Sequence, residues 1–196
     1  MRNPEVTKNL IVTSAIPIFN KKGYSATSIS DITKATGMTK GAIYGNFESK
    51  DSLALAAFQY ASQIVLKQLK ERIKSAPTAP EKLLSILSYY DEYIEKPPID
   101  GGCPIINTAV EADDVHPNLR MKVVSTITMI KDSLKHIIHR GITEGQIRKD
   151  VDVELYANMF YATIKGAILI SRVEGDPRSF NLILRGLTNQ ISAISI

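Results

Sequence analysis

The sequence predicts an all-α protein, and three observations carry that prediction. Apolar residues recur at spacings of three and four over long segments, the glycine, proline and asparagine/aspartate turn signals fall between those segments, and no stretch alternates polar and apolar residues long enough to build a sheet. About nine helices follow from this punctuation.

The first helix has Val6, Leu10, Ile11, Ala15, Ile18 and Phe19 as its apolar face and should end near Gly23, with Pro17 a source of kinking inside it. Ser28-Ile29-Ser30-Asp31 fits a capping box and opens a short helix with Ile29, Ile32 and Ala35 inward. Gly37 suits the left-handed position after its C-terminus. A second short helix covers Lys40 to Phe47, with Ala42, Ile43 and Phe47 inward. Ser49 is the expected N-cap of a long helix to about Lys74, which Ala76-Pro77-Thr78-Ala79-Pro80 ends. Further helices are expected at about Glu81 to Lys96, Pro104 to Asp113, Pro117 to Glu144, Val153 to Val173 and Pro177 to Ile194. Pro97-Pro98-Ile99-Asp100-Gly101-Gly102 is the most loop-like connection.

Composition narrows the class. A chain of 196 residues, 44% hydrophobic and 22% charged, has the make-up of an ordinary globular protein of one large or two small domains. Its net charge of +4 is unevenly placed: residues 1 to 50 hold seven Lys/Arg against three Asp/Glu, while the remainder is balanced at seventeen each. A basic N-terminal module on a neutral body points to a polyanion partner for that module. One cysteine, Cys103, permits no internal disulfide, and a reducing, cytoplasmic setting is expected. The longest uncharged stretch, Ser52 to Leu66, is interrupted by polar residues and falls short of a membrane span, which needs about 20 apolar residues. Leu10 to Phe19 lacks the cleavage site of a signal peptide and reads as mature structure.

Two short helices joined at a glycine, preceded by a packing helix and carrying the local positive charge, form a helix-turn-helix unit. The second helix of such a unit enters the DNA major groove. Lys40 can reach phosphate or guanine, Gly41 and Ala42 allow close backbone approach, and Tyr44 and Asn46 can contact phosphate or a base edge. On spacing alone, a structural helix whose polar side chains face water fits equally well.

The residues then carry a resemblance. Phe19, Lys22-Gly23-Tyr24, Ala26-Thr27-Ser28-Ile29-Ser30-Asp31-Ile32, Gly37, Lys40-Gly41-Ala42-Ile43-Tyr44, Asn46-Phe47 and Ser49-Lys50-Asp51-Ser52-Leu53 make up a pattern that resembles the DNA-binding domain of the tetracycline-repressor (TetR) family. The motif spans residues 5 to 58, and the rest is similar to the family in length and helical organisation. The resemblance implies a helix-turn-helix DNA-binding domain at 1–50, with its motif at about 28–47, and a helical ligand-binding and dimerisation domain at 51–196. It also implies a homodimeric bacterial transcription factor, usually a repressor, that a small molecule releases from operator DNA. Ser28, Thr39, Lys40, Gly41, Tyr44 and Asn46 match positions that contact DNA in the family, and Lys50 matches a phosphate-contacting lysine. Asn46 stands where the family often has histidine, and Gly45 where a side chain is usual.

Dimerisation also has a signal in the residues. Between Val153 and Val173 only Glu154, Lys165 and Arg172 are charged, and at 100° per residue they fall within about 20° of one another. Phe180, Ile183, Leu184, Leu187, Ile191 and Ile194 form an apolar stripe on the last helix. The expected interface is a four-helix arrangement of two copies, with Leu155, Met159, Phe180, Leu184, Leu187 and Ile191 in it. The alternative is that both helices form the core of one chain.

Signals for the effector are thinner. Leu83, Leu84, Leu87, Ile105, Ile106, Ile127, Ile130, Leu134 and Ile138, with Tyr89, Tyr90 and Tyr93, could line a cavity or simply be core. Tyr93, Cys103 and Asn107 are the candidate ligand residues. Cys103 precedes a helix start, where a thiol can be activated, so a redox or electrophile sensor is an alternative. Glu111, Asp113, Asp114 and His116 cluster without matching a strong metal-ligand spacing, and helix-end capping accounts for them better than an enzyme site does. His136 and His139 fall in a polar segment. With no nucleophile motif or phosphate loop, neither catalysis nor a cofactor or metal is expected. An adaptor that has lost DNA binding is the remaining alternative.

Overall fold

The computed structural model describes residues 4–196, leaving aside the side chains of 113–115. Among the described residues the helices are α1 Pro4–Ala26, α2 Ile29–Thr36, α3 Lys40–Tyr44, α4 Lys50–Ser75, α5 Ala79–Glu95, α6 Pro104–Val115, α7 Pro117–Thr143, α8 Val153–Glu174 and α9 Arg178–Ile194. They group into two compact units, one of residues 1–65 and 97–126 and one of 66–96 and 127–196. These units cut across a linear boundary at residue 50, because α6 belongs to the unit that holds the helix-turn-helix.

In the first unit α1 packs on α2 and α6, and α2 on α3. Ile32, Ile43, Phe47 and Leu53 are all buried beneath the two short helices, each burial stabilising by about 1.5–3 kcal/mol. The α1 helix is broken at Gly23, whose φ of 81° and ψ of 169° belong to a region nearly restricted to glycine. A Cβ there would also collide with the Glu111 carboxylate. Pro17 sits inside the helix, but the break comes at the glycine. The apolar face of α1 is narrower than its sequence pattern, since Ile11, Val12, Ala15 and Ile16 are buried while Val6 and Leu10 are exposed.

The second unit packs α9 against α5 and α8. Thr78 caps α5 through a reciprocal box with Glu81, a start signal masked in the sequence by the flanking prolines. An isolated antiparallel bridge between Ile147 and Ser195 pins the α7–α8 connection to the end of α9. Two expectations about this unit need correction. Phe180, Leu184, Leu187 and Ile191 are 0, 8, 2 and 1% exposed in the single chain, so the apolar stripe of α9 is already covered by its own neighbours. Lys165, expected in a polar stripe with Glu154 and Arg172, is 8% exposed. The three do share a stripe, but Tyr90 of α5 covers its middle.

Candidate DNA-binding surface

The surface is built from the caps outward. Ser28 is extended and accepts from the Asp31 amide at 3.2 Å, and the Asp31 carboxylate accepts from the Ser28 amide at 2.9 Å and its hydroxyl at 2.8 Å. Lys22 from α1 adds an ion pair to Asp31 at 2.7 Å. These donors, Lys22 first and then the Ser28 groups, hold the Asp31 carboxyl well below the usual aspartate range. Gly37 then turns the chain at φ 68°. Thr39 is the N-cap of α3, its hydroxyl accepting from the Ala42 amide at 3.2 Å.

This chain of caps presents Ser28, Thr39, Lys40, Gly41 and Tyr44 to solvent. Tyr44 is 42% exposed, an unusual exposure for an aromatic ring unless something covers it, and the Lys40 ammonium lies 5.8 Å from its centroid. A Cβ at Gly41 would meet only the Thr39 hydroxyl, at 4.0 Å, so the missing side chain serves the outer face and not the packing. The Ser28 hydroxyl already has Asp31 as its partner and therefore works first as a cap. Asn46 is half-buried and its Nδ2 donates to the Ala42 carbonyl at 2.9 Å, so its amide braces the end of α3.

Lys50, at the start of α4, is held by a residue that sequence reasoning passed over as a site. Its ammonium sits 4.3 Å from the ring centroid of Tyr24, whose hydroxyl donates to Asp51. Burial, reinforced by that carboxylate, pushes the Tyr24 phenol up. The Tyr24 amide donates to Glu111 of α6, and the His116 ring lies 3.8 Å from the Tyr24 ring. No local pattern links Tyr24 to Lys50, since 26 residues separate them.

The Asn107 carboxamide is a structural brace: its Nδ2 donates to the Asn20 carbonyl, the Asn20 side chain and the Gly101 carbonyl at 2.9, 3.0 and 2.9 Å. Cys103 is 2% exposed, which denies an electrophile access to its thiol. A pocket bordered by Phe19, Asn20, Tyr24, Phe58, Asn107 and Glu111 has a volume of about 30 Å³, room for water and too small for an organic effector. Tyr93 belongs to the second unit, where it is buried. Glu111 and His116 are engaged with Tyr24, while the side chains of Asp113 and Asp114 lie outside the described residues. Leu155 and Met159 are 57 and 49% exposed.

Comparison with known proteins places both parts of the chain in one family. The family model of bacterial regulatory proteins, tetR family, matches residues 11–57, and that of the tetracyclin repressor-like C-terminal domain matches 79–187. A TetR transcriptional regulator from Chloroflexus aurantiacus is similar at 36% identity and a TM-score of 0.95, covering 100% of this chain and 98% of that one. A TetR-family regulator from Cytophaga hutchinsonii is similar at 36% identity and a TM-score of 0.92, with the same coverage. The HTH-type transcriptional repressor DhaR of a Mycobacterium species is 28% identical over 165 residues, 84% of this chain and 81% of its own length.

Proposed function

The chain belongs to the tetracycline-repressor family and is a DNA-binding transcriptional regulator, not an enzyme, and on that premise we propose that it acts as a homodimeric repressor released from a near-palindromic operator by a small molecule. The carrying observation for the dimer is the outer face of α8. Leu155, Met159, Leu169, Ile170 and Val173 are 42 to 80% exposed, and on a helical wheel they fall within about 100° of one another. Gly166 lies in the same sector and Gly186 on the exposed side of α9, and both leave open space where a Cβ would be. Each costs its helix about 1 kcal/mol relative to alanine, a cost offset if a second helix approaches closely there. This face replaces the α9 stripe as the proposed contact, with Leu155 and Met159 retained from the sequence expectation.

Two copies then present two α3 helices to successive major grooves, with half-sites about 34–36 Å apart or a multiple of that distance. Lys40, Tyr44 and Lys50 contact the operator, with Thr39 and Gly41 allowing close approach. The repressor direction is supported by the similarity to DhaR of the Mycobacterium species, an HTH-type transcriptional repressor. Effector binding favours a conformation in which the two recognition helices no longer match the grooves, so operator DNA must in turn weaken the effector. Selection of genomic fragments by the purified protein tests this reading: a recurrent near-palindrome is expected, and failure to retain any fragment overturns it. Light scattering of Leu155→Glu tests the face, since wild type should be a dimer and the variant a monomer.

A further inference from the structure

Helix α6 is joined to the break in α1. At Gly23, where φ is 81° and ψ is 169°, the backbone leaves the helical region ahead of residues 24–26. In an unbroken helix the Tyr24 amide would donate to the Asn20 carbonyl, four residues back. Here each of those two groups has a partner on α6: Asn107 donates through Nδ2 to the Asn20 carbonyl at 2.9 Å, and the Glu111 carboxylate accepts from the Tyr24 amide. Asn107 and Glu111 stand about one turn apart, so one face of α6 meets both sides of the break. Glycine is required for this fit, because the Glu111 carboxylate fills the space that a Cβ at Gly23 would take.

Tyr24 carries this placement onward to Lys50. Its amide is held by Glu111, its hydroxyl donates to Asp51, the His116 ring lies 3.8 Å from its ring, and the Lys50 ammonium sits 4.3 Å from its centroid. A lysine has a flexible four-carbon stem and gives up rotamer freedom when its ammonium is held on a phosphate. A ring beneath the ammonium narrows that freedom beforehand, provided the ring is itself held in place. Glu111 supplies the hold on its backbone, and it lies in the segment matched by the C-terminal family model, whereas Tyr24 and Lys50 lie in the DNA-binding match. We infer that Glu111 is a positioning residue for operator binding: it reaches from α6, holds Tyr24 at the break in α1, and through that ring sets the Lys50 ammonium for an operator phosphate. The inference rests on the proposed operator contact of Lys50 and deepens it, by naming a residue outside the DNA-binding segment that governs that contact.

The test uses the full chain and a labelled operator fragment recovered by genomic selection. Anisotropy gives the affinity and its salt slope over about 50 to 200 mM, and helical circular dichroism checks folding. Glu111→Ala should weaken binding about fivefold and make the slope shallower, as Lys50→Ala does. Glu111→Gln, which loses the charge but keeps an acceptor of the same reach, should bind within about twofold of wild type. In the Lys50→Ala background Glu111→Ala should cost less than about twofold more, because the lysine it positions is gone. A residue that merely supported the fold would weaken both backgrounds equally. Should Glu111→Ala not fold, Glu111→Asp, whose acceptor falls one methylene short of the Tyr24 amide, takes its place in the same cycle. The positioning role is overturned if that variant keeps wild-type affinity and slope, if its loss is equal in the two backgrounds, or if Glu111→Gln falls as far as alanine. A wild-type slope in Lys50→Ala refutes the phosphate contact itself, and the positioning role with it. A shallower slope there, beside any of the three former results, refutes the positioning role alone. If wild type retains no fragment, both fall together with the repressor reading.

Discussion

Replacing Lys50 by alanine isolates the contribution of one phosphate contact. In the free protein two opposing effects act on this lysine. Its ammonium over Tyr24, 4.3 Å from the centroid, stabilises by about 0.5–1 kcal/mol. The same charge lies in the first turn of α4, where the helix dipole disfavours a cation by about 0.3–1 kcal/mol. These nearly cancel, so Lys50→Ala should leave the melting temperature almost unchanged. On DNA nothing cancels. A dimer loses two phosphate contacts, and the slope of log K against log salt should become shallower by about 1.8. Between 50 and 200 mM salt, a change of about 0.6 log units, wild type should lose roughly twelvefold more affinity than the variant. Anisotropy of a labelled operator fragment measures this, with Lys50→Arg expected to keep the wild-type slope. A slope unchanged in Lys50→Ala would show that Lys50 makes no phosphate contact and would refute the reasoning.

Lys40→Ala and Tyr44→Ala should each weaken operator binding and leave the dimer intact by light scattering; unchanged affinity in both would remove α3 from the interface. Ser28→Ala loses the α2 cap, a change of about 1 kcal/mol that should lower the melting temperature by about 2–4 °C. Because the folded-state Asp31 carboxyl is held below its unfolded value of about 3.9, its contribution is full above that pH and is lost as pH falls through the folded value. Asp31→Asn should therefore flatten the acid-unfolding limb below about pH 4, as followed by helical circular dichroism, and an unaltered limb would contradict the pairing with Lys22 and Ser28. Asn107→Ala leaves the Gly101 and Asn20 carbonyls without their donor and should destabilise by about 1–3 kcal/mol, read as a lower urea midpoint with unchanged slope.

Much of the fold was legible because helix boundaries are local. Ser28 with Asp31, Gly37 and the prolines at 104 and 117 act within a few residues of themselves, and the observed α2, α6 and α7 start where those signals stand. The outward placement of Lys40, Gly41 and Tyr44 was legible for the same reason, since the caps at Ser28 and Thr39 fix where α2 and α3 begin. Asn46 was read as a DNA contact because its type suits a base edge, and residue type alone does not reveal that its half-buried Nδ2 also donates to the Ala42 carbonyl.

By itself, then, the sequence determined which segments are helical, where α2, α6 and α7 begin, and that the positive charge belongs to the helix-turn-helix segment. Only the tertiary structure decided what covers each apolar face. Periodicity shows that a face is apolar, but hydrophobic burial is non-directional and any apolar neighbour satisfies it. So the α9 stripe is covered by α5 and α8 of its own chain, while the outer face of α8, equally apolar, is left exposed. The same holds for charge. Lys165 shares a stripe with two exposed charged residues, and only the arrival of Tyr90 from a helix 75 residues away turns it into a buried cation.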